Sequence, residues 1–76
     1  MSLDTTAQTI MRLAEVVKRN PPQRGVLSTG ESIAVAMVLN KPNWLKENGY
    51  TMLEAVERLG DEWTKAAIIV QKAMDR

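Results

Sequence analysis

The sequence predicts an all-α protein: a compact bundle of four helices over about 5–20, 29–40, 51–59 and 61–75, a short helical turn near 43–48, and helix 2 at the centre. Three observations predict it. Residues 33–39, Ile-Ala-Val-Ala-Met-Val-Leu, are apolar without a break. Each helical residue turns about 100° from the last, so these side chains surround the axis. A helix apolar on every side is buried or crosses a membrane, and the stretch is far short of the roughly 20 residues a crossing needs. Secondly, the capping-box pattern, a hydroxyl residue followed three positions later by Glu or Gln, recurs at Thr5–Gln8, Ser28–Glu31 and Thr51–Glu54. Thirdly, Pro21-Pro22 and Pro42 fall where apolar periodicity lapses, and proline disfavours helical geometry in the residue before it.

The first helix is expected to start at the Thr5–Gln8 box, and Met1-Ser2-Leu3 reads as an expression leader or a disordered end. Ala7, Ile10, Leu13, Ala14 and Val17 then recur at three- and four-residue steps as one apolar stripe, with Met11 and Val16 flanking it. Residues 21–25, PPQRG, read as a stiff polar connector. Helix 2 opens at the Ser28–Glu31 box, and its two alanines and methionine favour helix over a buried strand. Gly49 closes the turn near 43–48, since glycine tolerates the left-handed geometry common past helix ends. The third helix opens at the Thr51–Glu54 box, with Tyr50 placed to staple onto Ala55. Met52, Leu53, Ala55, Val56 and Leu59 are expected inward. Gly60 ends this helix and Asp61 is the expected cap of the fourth. The fourth carries a stripe of Trp63, Ala66, Ala67, Val70 and Met74, widened by Ile69 and Ala73, and leaves Ile68 outside it.

Composition narrows function mainly by subtraction. Seventy-six residues form one small domain, with ten basic and nine acidic side chains and a net charge of +1. Domains of this size bury only about 60% of their unfolded surface and need help from disulfides, metal or a partner. Cysteine and histidine are both missing. Disulfides and thiolate chemistry are therefore excluded, together with the commonest metal ligand and the usual general base near neutral pH. Self-association is the remaining familiar supplement to the core. The charge balance lacks the strongly basic footprint of a nucleic-acid-binding domain. No signal-peptide pattern is present, so a cytoplasmic setting is expected.

No catalytic set emerges. Serine and threonine have no histidine partner, and the acidic residues read as helix caps, first-turn acids or solvated positions. Ser28-Thr29-Gly30 lacks the following Gly-Lys-Ser/Thr of a nucleotide-binding loop. The expectation is a non-enzymatic protein with no cofactor and no metal. Lys18, Arg19 and Arg24 gather three positive charges near the end of helix 1 and are the candidate anion contact. Cations also suit a helix C-terminus for electrostatic reasons alone. Ile68, Trp44, Leu45 and Lys72 are the candidate interaction residues. Trp44 reads first as a lid on the core and second as an anchor for a partner.

One local resemblance bears on function. Residues 53–72, LEAVERLGDEWTKAAIIVQK, are two helices joined by a glycine-bearing turn and resemble a DNA-binding helix-turn-helix. Ala55, Val56, Leu59, Gly60, Ala66 and Ile69 suit that family's packed positions. Asp61, where the family prefers an apolar residue, departs from it, and the second helix opens with Asp61 and Glu62, which would face phosphates. The resemblance implies DNA binding through helices 3 and 4 as the alternative function. The principal expectation is a protein–protein interaction or self-association module, its partner another protein or, as a homodimer, its own copy. Five methionines and two tryptophans support an adaptable contact surface.

Overall fold

The computed structural model describes residues 3–74, and five helical segments account for nearly all of them. These are α1 (Leu3–Arg19), a 3-10 helix η1 (Pro21–Val26), α2 (Thr29–Val38), α3 (Pro42–Glu47) and α4 (Met52–Met74). Within α4 only Gly60 leaves helical dihedrals (φ 80°, ψ 173°), so α4 is two arms meeting at a kink. The arms, 52–59 and 61–74, match the expected third and fourth helices, although Asp75 lies outside the described residues.

The apolar segment sits where its composition demands. Ile33, Ala34, Val35, Ala36 and Val38 are all buried, and α1, α3 and α4 pack around α2. Two clusters share it. Ala34 and Val38 meet Ile10, Ala14, Ala66, Ala67 and Val70 from α1 and the second arm of α4. Ile33 and Ala36 meet Leu45 and Ala55, with Trp44 and Tyr50 over them. Leu59, just before the kink, touches both clusters.

Local signals set most boundaries. Ser28 Oγ accepts the Glu31 N–H while the Glu31 carboxylate accepts the Ser28 N–H, a complete capping box. Thr51 and Glu54 make the same reciprocal pair, and Tyr50 joins the cluster that holds Ala55, as the staple requires. Helix 2 ends two residues short of the expected position. Asn40 turns left-handed (φ 56°), with Asn40 N–H donating to the Met37 carbonyl and Lys41 N–H to the Ala36 carbonyl. Gly49 (φ 82°) ends α3 in the same way, with bonds from Gly49 to Lys46 and from Tyr50 to Leu45. Both ends are Schellman motifs, satisfying carbonyls the helix leaves open.

Three expectations are corrected. Thr5 is not the cap of α1: the helix already contains Leu3 and Asp4, and Thr9 Oγ1 donates to the Thr5 carbonyl inside it. Leu3 packs against the core, which favours the earlier start; Met1 and Ser2 lie outside the described residues. The stiff connector takes the form of a 3-10 helix, for which the fixed φ of Pro21 and Pro22 is suited. Asp61 has helical dihedrals and stands in the first turn of the second arm, leaving the non-helical cap position to Gly60. Lastly, Met52 (50% exposed), Leu53 (82%) and Ile69 (45%) face outward, as does Ala73, because these arms are covered over a narrower arc than their apolar content suggests.

Gly60 occupies a conformation restricted to glycine, although a Cβ there would meet nothing within 4 Å. Gly60→Ala should therefore destabilise the fold by about 1–3 kcal/mol through backbone strain alone. Urea denaturation measures the loss; an unchanged midpoint would show that the kink relaxes. The second box gives a pH signature. Glu54 is held below the ordinary glutamate range by the Thr51 N–H and then by the Thr51 hydroxyl, against a small opposing effect of burial. Its charged form therefore adds stability at pH above the unfolded value, and the gain is lost as pH falls through the lower folded value. In an NMR titration the Glu54 carboxylate should show a lower midpoint than the same glutamate in an unfolded peptide, and Glu54→Gln should abolish this part of the acid dependence.

Candidate functional site

The kink creates the most distinctive surface. Where the two arms of α4 diverge from Gly60, they form two walls of a groove, with the end of α2 and the start of α3 as the third. Its volume is about 320 Å³, and Met37, Pro42, Met52, Val56, Ala67 and Ile68 give it an apolar lining. Asn40, Lys41, Thr64 and Gln71 supply the polar lining. Gln71 Nε2 donates to the Met37 carbonyl (3.3 Å), tying the far end of the second arm to the end of α2. Thr64 Oγ1 is buried without a hydrogen-bond partner.

Apolar surface continues beyond the groove. Met52 is 50% exposed, Leu53 82% and Ile68 48%. On the first arm Leu53 lies about 60° round from Val56, on the side away from the core, so Met52, Val56 and Leu53 form one strip from groove to rim. On the second arm Ile68 forms the opposite rim. Exposed apolar residues scattered singly are ordinary, whereas a contiguous set on the walls of one groove marks a contact surface.

The sequence-derived candidates separate in space. Ile68 stands at the groove as an exposed residue, and Lys72 is exposed one helical turn further on. Leu45 is 2% exposed and packs in the core, where α3 turns it under α2, and it also lines the groove. Trp44 is half-buried over the same cluster, and the Arg24 guanidinium lies 4.4 Å from its ring centroid. Arg24 Nη2 also pairs with Glu47 Oε2 at 2.8 Å. Stacking and ion pairing together fasten η1 to α3.

That arrangement breaks up the expected anion contact. Arg24 is committed to Trp44 and Glu47, with Nη1 buried and unbonded, and borders a polar cleft with Thr29, Ser32, Asn48 and Tyr50. Lys18 borders a different cleft, between the end of α1 and α3, with Lys41, Trp44 and Met74. Arg19 is exposed in the last turn of α1. The three charges therefore do not converge on one site. No group of three or more acidic side chains among the described residues could hold a metal ion. No described helix is long and apolar enough to cross a membrane.

Sequence reasoning missed Leu53, the most exposed large apolar side chain of the groove region, because its spacing from Met52 and Val56 suits a wide buried face. It also missed Thr6, fully buried on α1, whose hydroxyl donates to the Glu62 carboxylate at 3.3 Å. A polar residue carries no periodicity signal. No protein-family model matches the chain, and neither the curated proteins nor the solved structures contain a match.

The groove rim and the core beneath it should respond oppositely to substitution. Leu53→Lys should change stability by no more than about 0.5 kcal/mol. Leu45→Ala, beneath it, should cost about 2–5 kcal/mol. Paired thermal melts of the dilute protein test both, and a large loss from Leu53→Lys would place Leu53 in the core instead.

Proposed function

We propose that the protein is a non-enzymatic association module of the cytoplasm whose working surface is the groove of α4 and its exposed rim. The observation that carries this reading is the run of Met52, Leu53 and Ile68 around an apolar cleft in so small a domain. A chain without cysteine or histidine has neither disulfide nor the usual metal ligand to supplement its core. Leaving large apolar side chains in water costs solubility, and a partner that covers them recovers roughly 25 cal/mol for each Å² of apolar surface removed from water. Apolar walls with a methionine on each of two sides, Met37 and Met52, suit a surface that adapts to what enters it.

DNA binding is the weaker reading. Only one residue, Gly60, separates the two arms, whereas a helix-turn-helix uses a turn of about three to four residues. Ile69, needed in the packed interior of that motif, is 45% exposed, and Glu62 at the head of the second arm is engaged by Thr6.

Light-scattering mass measurement across concentration, on the protein alone and with duplex DNA at low and moderate salt, tests the reading. The expected result is association that Ile68→Lys weakens at least tenfold, that Val16→Lys on the exposed side of α1 leaves alone, and that DNA does not alter. Association unaffected by Ile68→Lys would overturn the choice of surface. Salt-sensitive retention of duplex DNA would favour the helix-turn-helix reading instead.

A further inference from the structure

Of the four asparagines, Asn20, Asn40, Asn43 and Asn48, only Asn48 is followed by glycine. That pair has a chemistry of its own. The next residue's backbone nitrogen, once deprotonated, can attack the asparagine side-chain carbonyl carbon and close a five-membered imide. Gly49 has no Cβ to crowd its nitrogen. Lys41 and Trp44 crowd the same approach after Asn40 and Asn43, and Pro21 after Asn20 has no N–H to lose.

The folded chain holds this pair away from reaction. Ring closure needs the Gly49 nitrogen eclipsed with the Asn48 Cβ, and the observed Asn48 ψ of 1° keeps the two well apart. Gly49 N–H donates to the Lys46 carbonyl and Tyr50 N–H to the Leu45 carbonyl, each at 3.0 Å. Rotating Asn48 into reach breaks both bonds, so the Schellman end of α3 must open first. The side chain is held as well: Asn48 Nδ2 donates to Ser32 Oγ of α2 at 3.4 Å, and Ser32 is buried. Little else resists opening. The helix α3 has only six residues, and Lys46, Glu47, Asn48 and Gly49 are all exposed. Segments of that kind open locally while the rest of the fold stays closed.

We infer that Asn48–Gly49 is a self-modification site, deamidated through a cyclic imide when the end of α3 opens, with Ser32 as the latch on that opening. Gly49 N gives its proton to solvent base and bonds to Asn48 Cγ, while the side-chain nitrogen takes a proton from solvent and leaves as ammonia. Water then adds at either ring carbonyl and leaves aspartate or isoaspartate at position 48. Nothing is oxidised or reduced. Isoaspartate lengthens the main chain by one carbon, so the two Schellman bonds cannot re-form in register. Either product adds a negative charge beside Glu47 at a helix C-terminus, where the dipole disfavours it. Pro42 and Leu45 of the groove belong to α3, so conversion loosens that wall. The chemistry is independent of the association reading and of what fills the groove.

The test incubates the full chain in heavy-oxygen water at mildly alkaline pH, folded and in urea. Mass spectrometry reads label in the tryptic peptide 47–58, whose one asparagine is Asn48. Label should enter there at least tenfold faster than at Asn40 or Asn43 in urea, and at least tenfold faster in urea than in the folded protein. Ser32→Ala should speed the folded-state reaction about two- to tenfold, the worth of one hydrogen bond. Ile10→Val weakens the other core cluster and should leave the rate unchanged; urea denaturation confirms that both variants fold. Label at Asn48 no faster than at Asn43 would overturn the site. A folded rate equal to that in urea would overturn the gating. No effect of Ser32→Ala, or an equal effect of Ile10→Val, would overturn the latch.

Discussion

Everything in this structure answers to the need to keep water from α2. A helix with one apolar stripe is satisfied by one neighbour. A helix apolar around its whole circumference needs neighbours on every side, and a short chain has few residues from which to make them. Here α1, α3 and both arms of α4 are recruited, and Ala34 and Val38 on the one hand and Ile33 and Ala36 on the other belong to two clusters facing different neighbours. The small residues Ala34 and Ala36 let those neighbours come close, while Ile33, Val35 and Val38 fill the space between. Close packing of this kind makes the middle of the chain intolerant of change and leaves adaptation to the periphery.

The kink at Gly60 follows from that requirement. A straight helix over the length of α4 could not serve both the cluster of Leu45 and Ala55 and the cluster of Ala66, Ala67 and Val70. Bending at a residue free to adopt positive φ lets one element cover two faces, and Leu59 bridges them at the bend. The same bend separates the arms on their outer side and opens a groove that α2 and α3 only partly close. An exposed apolar groove is thus a geometric consequence of wrapping α2 with so little chain. The junction of η1 with α3 is closed differently. There the Arg24 guanidinium stacks on Trp44 and pairs with Glu47, so that polar groups join η1 to α3 where apolar ones are in short supply.

How far the sequence could be read depended on the range of the interaction concerned. The Ser28–Glu31 and Thr51–Glu54 boxes, the Gly49 turn and the Tyr50 staple involve residues within a few positions of one another, and each is present. The Thr5–Gln8 pattern is equally good on paper. It failed because a capping box works only where the helix has an end, and packing of Leu3 moved that end. Ile68 was legible as exposed because it leaves the apolar arc of its helix. Leu53 and Ile69 were not, since periodicity gives the direction of a buried face but not its width. Arg24 illustrates the other limit: its partner Glu47 lies 23 positions away, and no local rule joins them.

By itself, then, the sequence determined the helical class, the central place of residues 33–39, nearly every helix boundary, and the lack of the side chains that thiolate, histidine-based and disulfide chemistry require. All of these are properties of composition or of neighbours along the chain. Only the tertiary structure decided that Leu45 is core and Leu53 surface, that Arg24 leaves Lys18 and Arg19 to join Trp44, and that the arms of α4 part to form a groove. Those depend on which elements meet and at what angle. That is settled by how the surrounding helices share one apolar rod, and no single stretch of the chain contains it.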